Sequence, residues 1–302
     1  MKVKILWCGI FLLSIFLCQE GVFAETQLSF EDLLTAQHRW TIETSVNYLT
    51  TVQDNVTSIT SLIQLADNLF LPIQIPIIER TNTNIILGSL GIKYGVSAAT
   101  ELSFRGSALK TWNASSQATD NVIEEEDRYN DAWLGITHRI FKEDNIPSLF
   151  TFLEFCPIEK YGFAVDSETK YAFIYGKSWN AGAMLYKTID PIVLSLSLGY
   201  QLNLARKKFG TTVNPGEVIY INPSINFAIN NELTLFWGVN WTNQQASKIN
   251  HEISNIEEST LKYEFGLGYQ ISEKMVLHIS SDTTINSDDT EASFIIKSSY
   301  KI

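Results

Sequence analysis

From Leu261 to Ile271 every second residue is apolar: Leu261, Tyr263, Phe265, Leu267, Tyr269 and Ile271 form one row, and Lys262, Glu264, Gly266, Gly268 and Gln270 form the other. A period of two is the signature of an extended strand, whose side chains point alternately to opposite faces. After Ser272-Glu273 the apolar row resumes as Met275, Leu277 and Ile279, opposite His278, Ser280 and Asp282. Tilted strands need about 9–11 residues to cross a bilayer, and each arm has them; strands of soluble sheets usually run about 5–6. The stretch predicts a transmembrane β-hairpin.

The chain opens with Lys2 and Lys4, an apolar run from Ile5 to Leu17, and Val22-Phe23-Ala24. A basic start, a short apolar core and small residues at −3 and −1 predict a secretory signal over 1–24, cut after Ala24. Cys8 and Cys18 lie within it, which leaves Cys156 without an intramolecular disulfide partner. No later segment has 18 consecutive apolar residues, so no membrane-spanning helix is predicted. An exported chain rich in aromatic residues is expected in the outer membrane of a Gram-negative bacterium. The net charge of −11 argues against nucleic acid and against anionic membrane surfaces as partners.

The alternating unit recurs through the chain. Residues 25–37, with Ser29 followed by Glu31 and Asp32, predict a short periplasmic helix, and residues 38–302 predict the barrel. Twelve strands are expected, beginning at 39–51, 85–95 and 100–112 and ending at 290–302. Residues 52–84 carry Pro72 and Pro76, which remove ladder donors. They are expected to form a long first outer loop, a hairpin folded over or into the pore, with two further strands as the rival. Short turns at 96–99, 142–146, 188–190, 230–231 and 272–273 alternate with longer connections, the pattern of short periplasmic turns and long outer loops. Trp40, Tyr94, Trp112, Tyr171, Tyr200, Trp241, Tyr269 and Tyr300 fall near strand ends, as interfacial girdles do. The fold class is therefore all-β, a transmembrane antiparallel up-and-down barrel. A secreted soluble β-protein is the alternative, with the apolar rows turned inward.

At Tyr94–Gly106 the sequence reads YGVSAATELSFRG, an aromatic-glycine strand end, a short turn and a Glu-Leu strand start. With RWTIETSVNY at Arg39–Tyr48, this resembles the outer-membrane family associated with the meta-cleavage pathway of phenol degradation. The resemblance covers the mature chain and implies a barrel acting as a transporter or channel. The C-terminal Tyr300-Lys301-Ile302 departs from the aromatic last residue usual in such barrels.

No catalytic set is evident. His38, His138, His251 and His278 are scattered and form no paired metal motif, and no cofactor or metal is expected. His278 with Ser280 and Ser281 is the one nucleophile pairing available to an outer-membrane hydrolase, a distant alternative. The polar rows instead place Glu43, Lys93, Glu101, Arg105, Arg139, Glu154, Lys262, Glu264 and Lys297 as lumen-lining candidates. In a partly dehydrated bore such charges are held by pairing with opposite charges. They can brace the wall, bias permeating solutes, or both. The expectation is a monomeric, passive channel for small solutes, aromatic or apolar ones among them, in contact with outer-membrane lipid. A non-conducting structural or surface-exposed barrel is the alternative.

Overall fold

The computed structural model describes residues 34–302, apart from 67–68, 117–120, 166–167 and 285–288. Its strands are β1 (Trp40–Ala66), β2 (Leu69–Ser97), β3 (Thr100–Ser116), β4 (Asn121–Phe141), β5 (Ser148–Val165), β6 (Glu168–Ile174), β7 (Ser178–Ile189), β8 (Ile192–Asn203), β9 (Arg206–Lys208), β10 (Thr211–Asn214), β11 (Val218–Ala228), β12 (Leu233–Gln244), β13 (Ser247–Ile249), β14 (Glu252–Asn255), β15 (Glu258–Ser272), β16 (Met275–Thr284) and β17 (Asp289–Lys301). Twelve of them, β1–β5, β7, β8, β11, β12 and β15–β17, pair antiparallel in a ring. The ring closes where β1 meets β17, from Thr41↔Lys301 to Gln53↔Asp289. Closure satisfies every wall strand on both sides, which hydrocarbon demands because an unpaired backbone group there costs several kcal/mol.

The apolar rows face outward. Phe265 is 59% exposed and Leu102, Phe104, Leu194, Leu198, Ile225 and Phe227 are all exposed, as a lipid-facing band must be. Lys93, Glu101 and Lys297, on the alternate rows, meet inside. This is the reverse of a soluble sandwich and disposes of that alternative. Aromatic pairs mark both rims: Trp40 against Tyr94, centroids 4.5 Å apart, at the short-turn end, and Tyr48 against Trp112, 6.2 Å apart, towards the other.

Three expectations change. Residues 52–84 are not a loop: β1 and β2 remain paired to Gln64↔Phe70. β1 leaves β17 after Gln53 and β2 pairs β3 only from Arg80, so 54–79 is a two-stranded ribbon standing beyond the barrel. Neither outer edge of that ribbon is paired among the described residues, so prolines are tolerated in it, and Pro72 and Pro76, four residues apart, have the same parity and leave the same edge without donors. The alternation of Tyr171, Phe173, Tyr175, Trp179, Ala181, Ala183 and Leu185, which predicts one strand over 171–187, is broken at Tyr175–Lys177 into β6 and β7, with Gly176 at φ +63° turning the chain. The predicted helix at 25–37 lies mostly outside the described residues; its last residues, 34–37, are not helical, and Gln37 bridges Gly95.

At the outer end, β14-β13-β10-β9 form a small separate sheet. Phe163 and Ile174, from the β5–β6 extension, pack with Val213 and Ile249 of that sheet in a buried cluster. Arg206 fastens it to the barrel: its guanidinium makes two parallel bonds to Glu159, at 2.8 and 3.0 Å, and a third to Ser178 Oγ at 2.7 Å.

The lumen as the candidate functional site

The inward rows bring most of the predicted residues together near the short-turn end. Lys93 Nζ lies 2.9 Å from Glu43 Oε1 and 3.9 Å from Glu101 Oε1, and Lys297 Nζ reaches the same Glu43 oxygen at 3.2 Å. β1 is the centre of this arrangement, because it lies between β2, which carries Lys93, and β17, which carries Lys297. Glu154 accepts from Asn180 Nδ2 at 2.8 Å, and Asn180 Oδ1 accepts from the Tyr220 hydroxyl at 3.1 Å. Further along, Glu264 accepts from Asn240 Nδ2 at 3.2 Å, and Lys262 makes a close ion pair with Glu291.

Two candidates fall outside this network. Arg139 sits at the rim, where Nη2 donates to Ala98 O at 2.7 Å and braces the turn between β2 and β3. Arg105 is exposed to the bore and makes no ion pair among the described residues.

The N-terminal segment enters the bore at the same end. Leu34 packs on Phe150, Tyr186 and Val193, an apolar cluster on the inner wall. Thr35 N donates to Glu101 Oε2 at 2.6 Å, and Thr35 Oγ1 to Thr41 Oγ1 at 3.0 Å. Glu101 is 3% exposed beneath this contact. Gly95 makes the approach feasible, since a Cβ there would stand 2.1 Å from Ala36 O. The tyrosine-glycine strand end and the Glu-Leu strand start of the resemblance thus have a physical role here: Gly95 admits the segment and Glu101 holds it.

The charged candidates leave out the aromatic residues of the inner rows. Trp133 is buried inside the wall, its Nε1 donating to Asp131 Oδ2 at 2.9 Å, and Ser107 bonds the same carboxylate closely. Phe152, Tyr220 and Phe236 also point inward, each over a glycine of a neighbouring strand: Gly182, Gly199 and Gly266. A Cβ on any of the three would lie within 2.4 Å of its ring, so the missing side chain is what lets the ring lie flat on the wall. The signal was present as an inward aromatic facing a glycine across the ladder, legible only once register is known. In β5 an extra residue opposite Trp133 shifts the parity between Phe155 and Ile158, so Glu159 could not be placed by counting from Glu154.

The hydrolase pairing fares poorly. His278 and Ser280 face the bore, not the lipid, and no hydrogen bond joins them.

No protein-family model matches the sequence, and no curated protein matches it. Solved structures do. An outer membrane channel from Pseudomonas putida F1 superposes with a TM-score of 0.63 at 10% identity, over 94% of this chain and all of that one. The translocator domain of the autotransporter NalP from Neisseria meningitidis gives 0.54 at 9% identity, over 99% and 95%. The transport unit of the autotransporter AIDA-I from Escherichia coli gives 0.53 at 13%, over 90% and 92%. The chain has the fold of Gram-negative outer-membrane β-barrels.

Proposed function

We propose that this chain, exported by residues 1–24 and inserted as a monomer in the outer membrane of a Gram-negative bacterium, is a passive channel for small aromatic or apolar solutes. The observation that carries the reading is the inner wall itself, where Phe152, Tyr220 and Phe236 lie flat over glycines between rows of serine, asparagine and paired charges. Flat rings offer weak stacking surface to an aromatic solute. Saturated ion pairs leave fewer unshielded charges to repel it. A twelve-stranded bore lies between small barrels filled by side chains and the wide aqueous pores of 16–18 strands, which suits solutes of one ring. The closed ring supports the monomer, because no wall strand is left with an edge to share. The similarity to an outer membrane channel and the sequence resemblance point the same way.

Glu43, Lys93, Glu101, Glu154 and Lys297 would act as the narrow charged zone, with Arg105 as its exposed cation and Lys262 and Glu264 above it. Arg139 braces the rim. A non-conducting barrel is the second reading, favoured by one observation: Leu34 and Thr35 occupy the bore.

The test is flux into proteoliposomes of a neutral monoaromatic solute and of a sugar of similar mass. Aromatic flux above sugar flux, reduced by Phe236→Ala or Phe152→Ala, is expected. Equal flux to protein-free vesicles for both solutes would overturn the channel reading.

A further inference from the structure

Three neighbouring inward side chains carry oxygens that are shut away from solvent and have no hydrogen-bond partner: Asp282 Oδ1, Thr284 Oγ1 and Ser293 Oγ. Thr284 and Ser293 are 8% and 5% exposed. Asp282 stands directly opposite Ser293 across β16 and β17, and Thr284 follows two residues on, on the same face of β16. Facing partners in an antiparallel pair have Cβ atoms about 4.5–5.5 Å apart, so Asp282 and Ser293 can reach one ligand. The lysine that could neutralise Asp282 is engaged elsewhere: Lys262, opposite Thr284, pairs with Glu291. Across β15 the facing residue is Glu264, another carboxylate.

A buried polar group without a partner costs about 1–3 kcal/mol, and a charged one more. Three such oxygens on adjacent ladder positions call for a shared ligand that accepts lone pairs. We propose that Asp282, Thr284 and Ser293 form a binding site for a hard metal cation in the inner wall of the barrel. Carboxylate and hydroxyl oxygens are the ligands such ions take. A cavity of about 240 Å³, lined by Glu264, His278, Ser280, Ile295 and Lys297 among others, lies one step along the same inward rows, since Ser280 and Ile295 are two residues from Asp282 and Ser293. No three His, Cys, Asp or Glu residues converge among the described residues, so the site rests on one carboxylate and neutral oxygens. Low ligand charge sets a weak affinity, a Kd on the order of 10⁻³ M. The inference does not depend on what the channel passes.

The experiment uses the folded full-length chain in detergent, titrated separately with CaCl₂ and NaCl against N-methylglucamine chloride at matched ionic strength. The expected result is a saturable rise in Tm for one of the two metals, with its apparent affinity weakened at least about tenfold by Asp282→Asn, which removes ligand charge. Ser293→Ala and Thr284→Val should also weaken it. Gel mobility with and without heating confirms that each variant folds. Absence of a metal-specific shift in the wild type would mean that water satisfies these oxygens and would overturn the proposal. So would a shift that survives in both Asp282→Asn and Ser293→Ala.

Discussion

The contact between Glu101 and the N-terminal segment ties residues 34–37 to the inner wall, and its strength can be worked out from the parts. Thr35 N donates to a carboxylate at 2.6 Å. Hydrogen bonds to charged groups contribute about 1.5–3 kcal/mol and neutral ones about 0.5–1.5, so Glu101→Gln should cost about 1 kcal/mol. Leu34 is only half-buried on Phe150, Tyr186 and Val193, and Leu34→Ala there should cost about 1–2 kcal/mol, below the range for a fully buried leucine. Collateral damage is small, because Lys93 retains Glu43 at 2.9 Å when Glu101 becomes neutral. The double variant therefore loses about 2–3 kcal/mol of docking free energy. At 1.4 kcal/mol per tenfold, the ratio of docked to undocked segment falls roughly 30- to 150-fold. Single-channel recording should then show a larger open fraction. A cysteine placed at Thr35 should react faster with an impermeant maleimide, without background from Cys156, which is 1% exposed. Unchanged conductance and labelling in a double variant that still folds would refute the assignment of residues 34–37 as an obstruction.

Other consequences are as direct. Phe265→Arg puts a charge on the lipid face and should cost about 2–4 kcal/mol if the residue lies near the midplane, read by urea unfolding in lipid vesicles; a neutral outcome would contradict the assigned face. Arg206→Met leaves Glu159 without its partner in a buried setting, a loss on the order of 3–5 kcal/mol, and limited proteolysis should cut 205–216 in the variant while the barrel core persists. At the turn between β4 and β5, partial burial pushes the Glu143 carboxyl up, but bonds from Thr188 N at 2.7 Å and Thr188 Oγ1 at 2.9 Å, with Lys187 beside it, outweigh this and hold it below the usual range. A lowered carboxylate pKa means the stabilisation is present above the unfolded-state pKa and is lost as pH falls through the folded one. The Tm difference between wild type and Glu143→Gln should therefore be largest near neutral pH and vanish in acid; an equal difference at both would mean the carboxylate's charge plays no part.

Alternation by itself determined that the chain is extended strand, that Leu261–Ile271 and Met275–Ile279 form a hairpin, and which rows are greasy. Strand period is local, set by backbone geometry, so it survives without knowledge of any partner. The lumen candidates followed from the same parity, and Glu43, Lys93, Glu101 and Lys297 do meet in one network. Only tertiary structure decided what depends on register between strands: that β1 and β17 close the ring, that rings such as Tyr220 lie over Gly199, and that a bulge in β5 reverses the parity at Glu159. The ribbon at 54–79 was illegible because two prolines forbid a central strand yet permit an edge, and nothing in a linear chain says which strands have neighbours. Glu101's hold on Thr35 joins residues 66 positions apart; the pairing of β1 with β2 and of β2 with β3 brings them together.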